Sequence, residues 1–174
     1  ATRGADSREA GAGGTRPEEA CAEGGAEALP VSVDILGLGA VAVDDLIYLD
    51  EYPRPDAKVY VVRRERHAGG LTGTALVAAA RMGRRCAYAG ALGGDELSRF
   101  ILDGLATDGV DTGLVVARAD ARPFHSTILV DMKGLTRTIL SDATGVIGSD
   151  PSGPDGNAIA SARVLFVDYV GRSG

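Results

Sequence analysis

The sequence has no tryptophan and only 5% aromatic residues. Its core must therefore be filled by Val, Leu, Ile and Ala, a usage that suits an α/β protein. Its two cysteines, Cys21 and Cys86, stand far apart, with no C-x-x-C spacing and no histidine beside them. That argues against both a disulfide framework and a zinc site, and makes a reduced, cytoplasmic setting the expectation. No apolar run approaches the roughly 20 residues of a membrane span. Positive charge is in deficit, with 18 Lys and Arg against 24 Asp and Glu and a net charge of −6, whereas a nucleic-acid partner would want a basic face. There is no G-x-x-x-x-G-K-[ST] phosphate loop, no H-E-x-x-H and no G-x-S-x-G nucleophile elbow. The two histidines, His67 and His125, lack the spacing of a metal pair.

At 174 residues and 45% hydrophobic content, the chain has enough material for one core, so a single domain is expected. Residues 1–30 stand apart. They carry six acidic residues, three arginines and one large apolar side chain, Leu29. Such a segment cannot bury enough surface to offset its ordering entropy, and it lacks the apolar stretch of a secretory signal. It reads as a disordered leader or a translation artefact.

The stretch AGGLTGTALVAAARMGRRCAYAGALGGD, residues 68–95, organises the rest. Gly69-Gly70 permits a tight turn and close approach of backbone to a ligand. A small-residue helix is predicted from Thr72 to Met82, with Thr72 capping its first amides and Gly83 as the left-handed residue past its end. A strand over Cys86–Leu92 and a second glycine pair follow. Strand, glycine turn and helix N-terminus together would expose backbone N–H groups to a polar ligand.

Upstream, a strand is predicted through Ile35 and Leu36. The run from Gly37 to Ala42 matches the G-x-G-x-x-[GA] dinucleotide fingerprint, but that motif needs a helix immediately afterwards. Val41, Val43, Ile47 and the Leu46/Tyr48 alternation read instead as continued β-structure. Asp44 and Asp45, beside this glycine-bent strand, are carboxylates able to accept hydrogen bonds from substrate hydroxyls. AKVYVVRRERH, residues 57–67, reads as a half-exposed strand. Asp95–Thr107 is an amphipathic helix, with Leu97, Phe100, Ile101 and Leu105 on one face. Leu114–Ala117 is a short strand, and Phe124–Asp131 with Thr136–Leu140 form a hairpin about Lys133-Gly134. The turn-rich loop over residues 148–157 leads through a helical turn near Ala158–Ala162 into VLFVDYV, read as a strand covered on both faces in a parallel sheet. Asp168 lies toward its carboxyl end, where open α/β sheets place ligands.

The order of these features resembles the N-terminal half of the ribokinase/PfkB family of carbohydrate and nucleoside kinases. The matching pieces are GLGAVAVDDLIYLDEYP, AGGLTGTALVAAARMG, CAYAGALGGDELSRFILDGLATDGVDT and the strand pair ending in LTRTIL, over about Val33–Asp168. The resemblance implies a Rossmann-type α/β sandwich, truncated at the C-terminus, with a small β-lid from strands near residues 57–67 and 123–141. It implies a homodimer formed through that lid, and transfer of the ATP γ-phosphate, with Mg²⁺, to a sugar or nucleoside hydroxyl. Asp44 matches the aspartate that binds substrate hydroxyls, and Gly69-Gly70 match the substrate-site glycine pair. Thr74 and Ala42 stand where the family usually has asparagines. The threonine keeps one hydroxyl but loses the amide's second hydrogen-bonding arm, so the resemblance extends to a sugar or nucleoside kinase rather than to ribokinase itself. The family's second signature, a G-A-G-D-like segment with the catalytic base, is absent from these residues. The base is therefore expected beyond residue 174, and the chain alone is expected to be inactive. The alternatives are an NAD-dependent oxidoreductase, from the Gly37 fingerprint, and a non-catalytic sugar-binding protein.

Overall fold

The computed structural model describes residues 33–150, Gly153 and residues 156–170. The expected leader, residues 1–30, lies outside them, as does part of the loop over residues 148–157.

Chain order begins with β1 (Val33–Leu38) and β2 (Ala42–Leu49), joined by the Gly39-Ala40-Val41 turn. The residues after Gly39 run as strand and not as helix. That removes the nicotinamide reading, because a dinucleotide fingerprint works by presenting a helix N-terminus to the pyrophosphate. β3 (Arg63–Gly69) pairs antiparallel with β2. It is shorter at its start than the predicted strand: residues 57–62 are not in strand conformation, and only Val62 N–H reaches β2, at Tyr48 O (2.9 Å).

Helix α1 (Leu71–Arg81) is rich in alanine, a strong helix former, and buries Thr72, Gly73 and Leu76 on one face. Thr72 does not cap it. Gly70 occupies the N-cap with φ of 88°, and no side chain caps the helix; the Thr72 hydroxyl points instead to Asp168, a longer-range partner. Gly83 at φ of 81° takes the predicted left-handed position past the helix end.

The predicted strand over Cys86–Leu92 divides into β4 (Cys86–Tyr88) and β5 (Ala91–Leu92). Gly90 packs against the Tyr88 side chain where a Cβ has no room, and the chain there leaves one sheet for another. Helix α2 (Glu96–Thr107) starts at Asp95, whose carboxylate accepts from Ser98 N–H at 2.9 Å. It is followed by β6 (Val110–Asp111), β7 (Val116–Ala117), β8 (Phe124–Asp131), β9 (Thr136–Asp142), the short helix α3 (Gly156–Ala160) and β10 (Ala162–Val167). The strand predicted over Leu114–Ala117 is thus confined to its last two residues.

Two four-stranded sheets result. The first has the order β10-β1-β4-β6 and is parallel throughout. One of its faces packs Leu36, Ala87 and Ala89 together. The main core, on the side of α1 and α2, gathers Val41, Val43, Leu76, Tyr88, Leu92, Ile101 and Leu105. The second sheet has the order β3-β2-β8-β9, with β2 and β8 parallel and the outer pairs antiparallel. A two-stranded β5-β7 pair completes the set. β10 departs from the expectation of a strand covered on both faces: it pairs only with β1 among the described residues, and Val164 is 53% exposed.

Candidate functional site

Successive side chains on a strand point to opposite faces, so β2 separates its two aspartates. Asp44 faces an open concavity of about 750 Å³ that it shares with Leu46, Ser126, Ile128, Val130 and Ile139. Ser126 lies directly across the β2–β8 pairing from it. The Asp44 carboxylate lies against Gly69, where an added Cβ would sit 2.7 Å from Oδ2. Glycine at this position therefore leaves space for the carboxylate. Asp44 is half-buried, and no donor reaches its carboxylate among the described residues.

Asp45 has the opposite environment. It accepts from Arg66 Nε at 2.7 Å and Arg66 Nη2 at 3.0 Å, and His125 Nε2 lies 2.8 Å from its Oδ2. The Arg66 guanidinium, with a further contribution from His125 against the cost of burial, lowers its carboxyl from an ordinary 3.8 to about 2. Arg66 also reaches Glu96 at the start of α2, at 2.6 Å. Asp45 thus helps brace the outer sheet to a core helix, and both its oxygens are spent on that. His67 lies 3.1 Å from the Glu65 carboxylate and is exposed.

Gly70 is required by close packing. A Cβ there would meet Ala40 O at 2.5 Å and Val41 Cα at 2.6 Å. This approach lets Ala40 O accept from Thr72 N–H (3.1 Å) and Gly73 N–H (3.3 Å), satisfying two amides at the start of α1. Thr74 is exposed on α1 and lines a second concavity of about 390 Å³ with Gly69, His67, Val77, Arg81 and Ile101. The structure therefore brings Asp44 and Gly69 together, places Gly70 behind them as a packing residue, and puts Thr74 in the neighbouring hollow.

Two residues near this site were not singled out by sequence reasoning. Ser126 was legible in principle from the alternation of β8, which places Ser126, Ile128 and Val130 on one face. Tyr88 was not: it is fully buried, and its hydroxyl donates to Gly39 O at 3.0 Å. Asp168 lies just past the carboxyl end of β10, but it is turned inward and accepts from Ala40 N–H at 2.7 Å. Among the described residues no group of three or more His, Cys, Asp or Glu side chains converges to hold a metal ion.

Residues 35–150 match the pfkB family carbohydrate kinase pattern, which is more than half of the chain. The chain belongs to the PfkB family. It is similar to a nucleoside kinase of Methanothermobacter thermautotrophicus, 31% identical over 99 residues that make up 56% of this chain and 32% of that one. It is also similar to the ketohexokinase of Mus musculus, 24% identical over 139 residues, 80% of this chain and 46% of that one. In fold it resembles a crystal structure from Agrobacterium tumefaciens assigned as a ribokinase, with a TM-score of 0.68 and 29% identity over 78% of this chain and 44% of the other. The ribokinase of Cryptococcus neoformans var. grubii in complex with ADP shares the fold at a TM-score of 0.62 and 22% identity. The chain spans about a third to a half of the length of these curated relatives. The PfkB fold and the order of its first elements are thus those the sequence motifs implied.

Proposed function

We propose that the intact gene product transfers the γ-phosphate of ATP to a hydroxyl of a sugar or nucleoside, and that this chain supplies the face that holds the acceptor. The observation carrying this reading is the half-buried Asp44 carboxylate, with no donor among the described residues and with Gly69 clearing space against it. A carboxylate in that state accepts charge-assisted hydrogen bonds from acceptor hydroxyls, and hydrogen bonds of this kind are the strong ones. Gly69-Gly70 contributes its backbone and Ser126 a further hydroxyl. Thr74 has the weaker claim, since it opens on the adjacent hollow.

Membership of the PfkB family and the ADP bound to the Cryptococcus relative support ATP as the donor. ATP supplies the phosphoryl group and its leaving group. Mg²⁺, which binds through one or two carboxylates together with substrate phosphates, would neutralise charge on the transferring phosphoryl group. The base that deprotonates the acceptor hydroxyl is proposed beyond residue 174. The β3-β2-β8-β9 sheet serves as the lid over the acceptor, within a domain spanning residues 31–174. Its concavity is lined by Leu46, Ile128, Val130 and Ile139, and Leu135 at its rim is 88% exposed; a second lid covering this apolar face makes a homodimer. No helix among the described residues is long and apolar enough to cross a membrane. We place the protein in the cytoplasm, with no nucleic-acid partner on account of its acidic balance.

The test is coupled ADP release by the intact gene product over a panel of sugars and nucleosides. Acceptor-dependent turnover supports the reading. Binding of a sugar without ADP release would make it a non-catalytic binding protein. The 174-residue chain by itself is expected to release no ADP, because phosphoryl transfer needs base, phosphate cradle and acceptor site together. Turnover by that chain alone would show that the base lies within it.

A further inference from the structure

Asp168 follows β10 and is only 8% exposed. Its Oδ2 accepts from Ala40 N–H at 2.7 Å and from Thr72 Oγ1 at 2.9 Å, and its Oδ1 accepts from Val170 N–H at 2.8 Å. A buried carboxylate is costly unless donors surround it, and here three groups of the described residues donate to it. Gly39 leaves no room for a Cβ beside the carboxylate, so the turn is moulded onto it. The same turn is held from its other sides. Tyr88 Oη donates to Gly39 O at 3.0 Å, and Ala40 O accepts the first amides of α1.

The two segments that meet on this carboxylate are the ones that carry the acceptor residues. The Gly39-Ala40 turn leads directly into β2 and Asp44, and Thr72 follows directly on Gly69-Gly70-Leu71. We infer that Asp168 is a positioning residue that fixes the β1–β2 turn against the start of α1, and thereby sets the spacing between Asp44 and the glycine pair across which the acceptor is held. The inference rests on the acceptor site proposed above. Both oxygens of Asp168 are already engaged, so it acts through the backbone and does not touch the acceptor. An asparagine supplies one acceptor oxygen in place of two, so either the Ala40–Thr72 pair or the Val170 amide would face an NH₂ group.

The experiment compares Asp168→Asn and Thr72→Val with the unaltered intact gene product, measuring KM for acceptor, KM for ATP, kcat and amide exchange over residues 39–42 and 70–73. Thr72→Val keeps the volume and removes one donor, so it reports even where Asp168→Asn fails to fold. Asp168→Asn is expected to raise the acceptor KM about ten-fold or more, since small misplacements at a site cost that much. Thr72→Val should raise it less, ATP KM should stay within about two-fold, and exchange should accelerate at the two named segments. Equal shifts in both KM values, unchanged acceptor KM in both variants, or exchange that is unchanged or accelerates throughout the chain would overturn the inference. Should the unaltered protein phosphorylate nothing in the panel, the proposed function fails separately. Exchange confined to the two segments would then still support the anchoring role, and its absence would refute it.

Discussion

The two four-stranded sheets obey different rules. In the β10-β1-β4-β6 sheet the central residues are enclosed on both faces: Leu36 and Ala87 are fully buried, and the strands read as short apolar runs. In the β3-β2-β8-β9 sheet, side chains alternate between a face braced to α2 by Asp45 and Arg66 and a face left open around Asp44. At its centre the first sheet has little freedom to carry chemistry, because packing encloses Leu36 and Ala87, whereas its edge strand β10 leaves Val164 exposed. The second has one unspent face, and the candidate acceptor residues and the apolar rim both lie on it. The chain thus joins a sheet with an enclosed centre to a sheet that keeps one face open.

The contrast is sharpest in stability. Leu36→Ala should cost about 2–5 kcal/mol through lost burial and the cavity left behind, read as a shift in the urea midpoint. Ile139→Ala, at a residue 50% exposed, should cost no more than about 0.5 kcal/mol, as surface changes usually do. Comparable losses at both positions would mean that the outer sheet is packed like the inner one.

A smaller effect is expected from the open face as a partner surface. Charging its rim with Leu135→Glu and Ile139→Glu should weaken self-association of the intact gene product on the order of ten-fold or more while leaving unfolding unchanged, since a buried apolar centre carries most interface energy. Sedimentation velocity over a concentration series reads this directly. Unchanged association would contradict the proposed pairing of two lids through this face.

The braced face gives the smallest and most gradual effect. Asp45 has a folded-state pKa of about 2, below its ordinary 3.8. The stability it contributes is therefore present above about pH 4 and is lost as pH falls through about 2. Thermal melts from pH 5 to pH 2 should show a steeper loss for the unaltered chain than for Asp45→Asn. Parallel curves would mean that the Arg66 and His125 contacts do not survive in solution.

Much of this division could be read from the residues. The alternation in β2 and β8, the cap at Asp95, the glycine past α1 and the hairpin about Lys133-Gly134 all follow from local periodicity and turn chemistry. What escaped depends on contacts distant in sequence. The Thr72 hydroxyl has a local role open to it as a helix cap, yet it bonds Asp168, a residue 96 positions away. The Cys86–Leu92 run looks like one strand because periodicity is blind to a change of sheet at Gly90. Thr74 opens on the hollow it shares with His67 and Ile101 and not on the Asp44 concavity, a separation that no spacing in the sequence records. The resemblance and the alternation of β2 already separate Asp44 from Asp45; what the sequence does not record is that Arg66 and His125 converge on Asp45.

That pair also offers the most direct test. In the intact gene product, Asp44→Ala and Asp45→Ala should be compared by acceptor kcat/KM at constant saturating ATP. Losing the Asp44 carboxylate removes charge-assisted hydrogen bonds to the acceptor and should cost about 1.5–3 kcal/mol of transition-state stabilisation, more than ten-fold in kcat/KM. Asp45→Ala should leave acceptor kinetics within about three-fold, being a surface-facing brace, while lowering the melting temperature. Equal, small effects of the two substitutions on acceptor kcat/KM would contradict the assignment of the open face as the acceptor site.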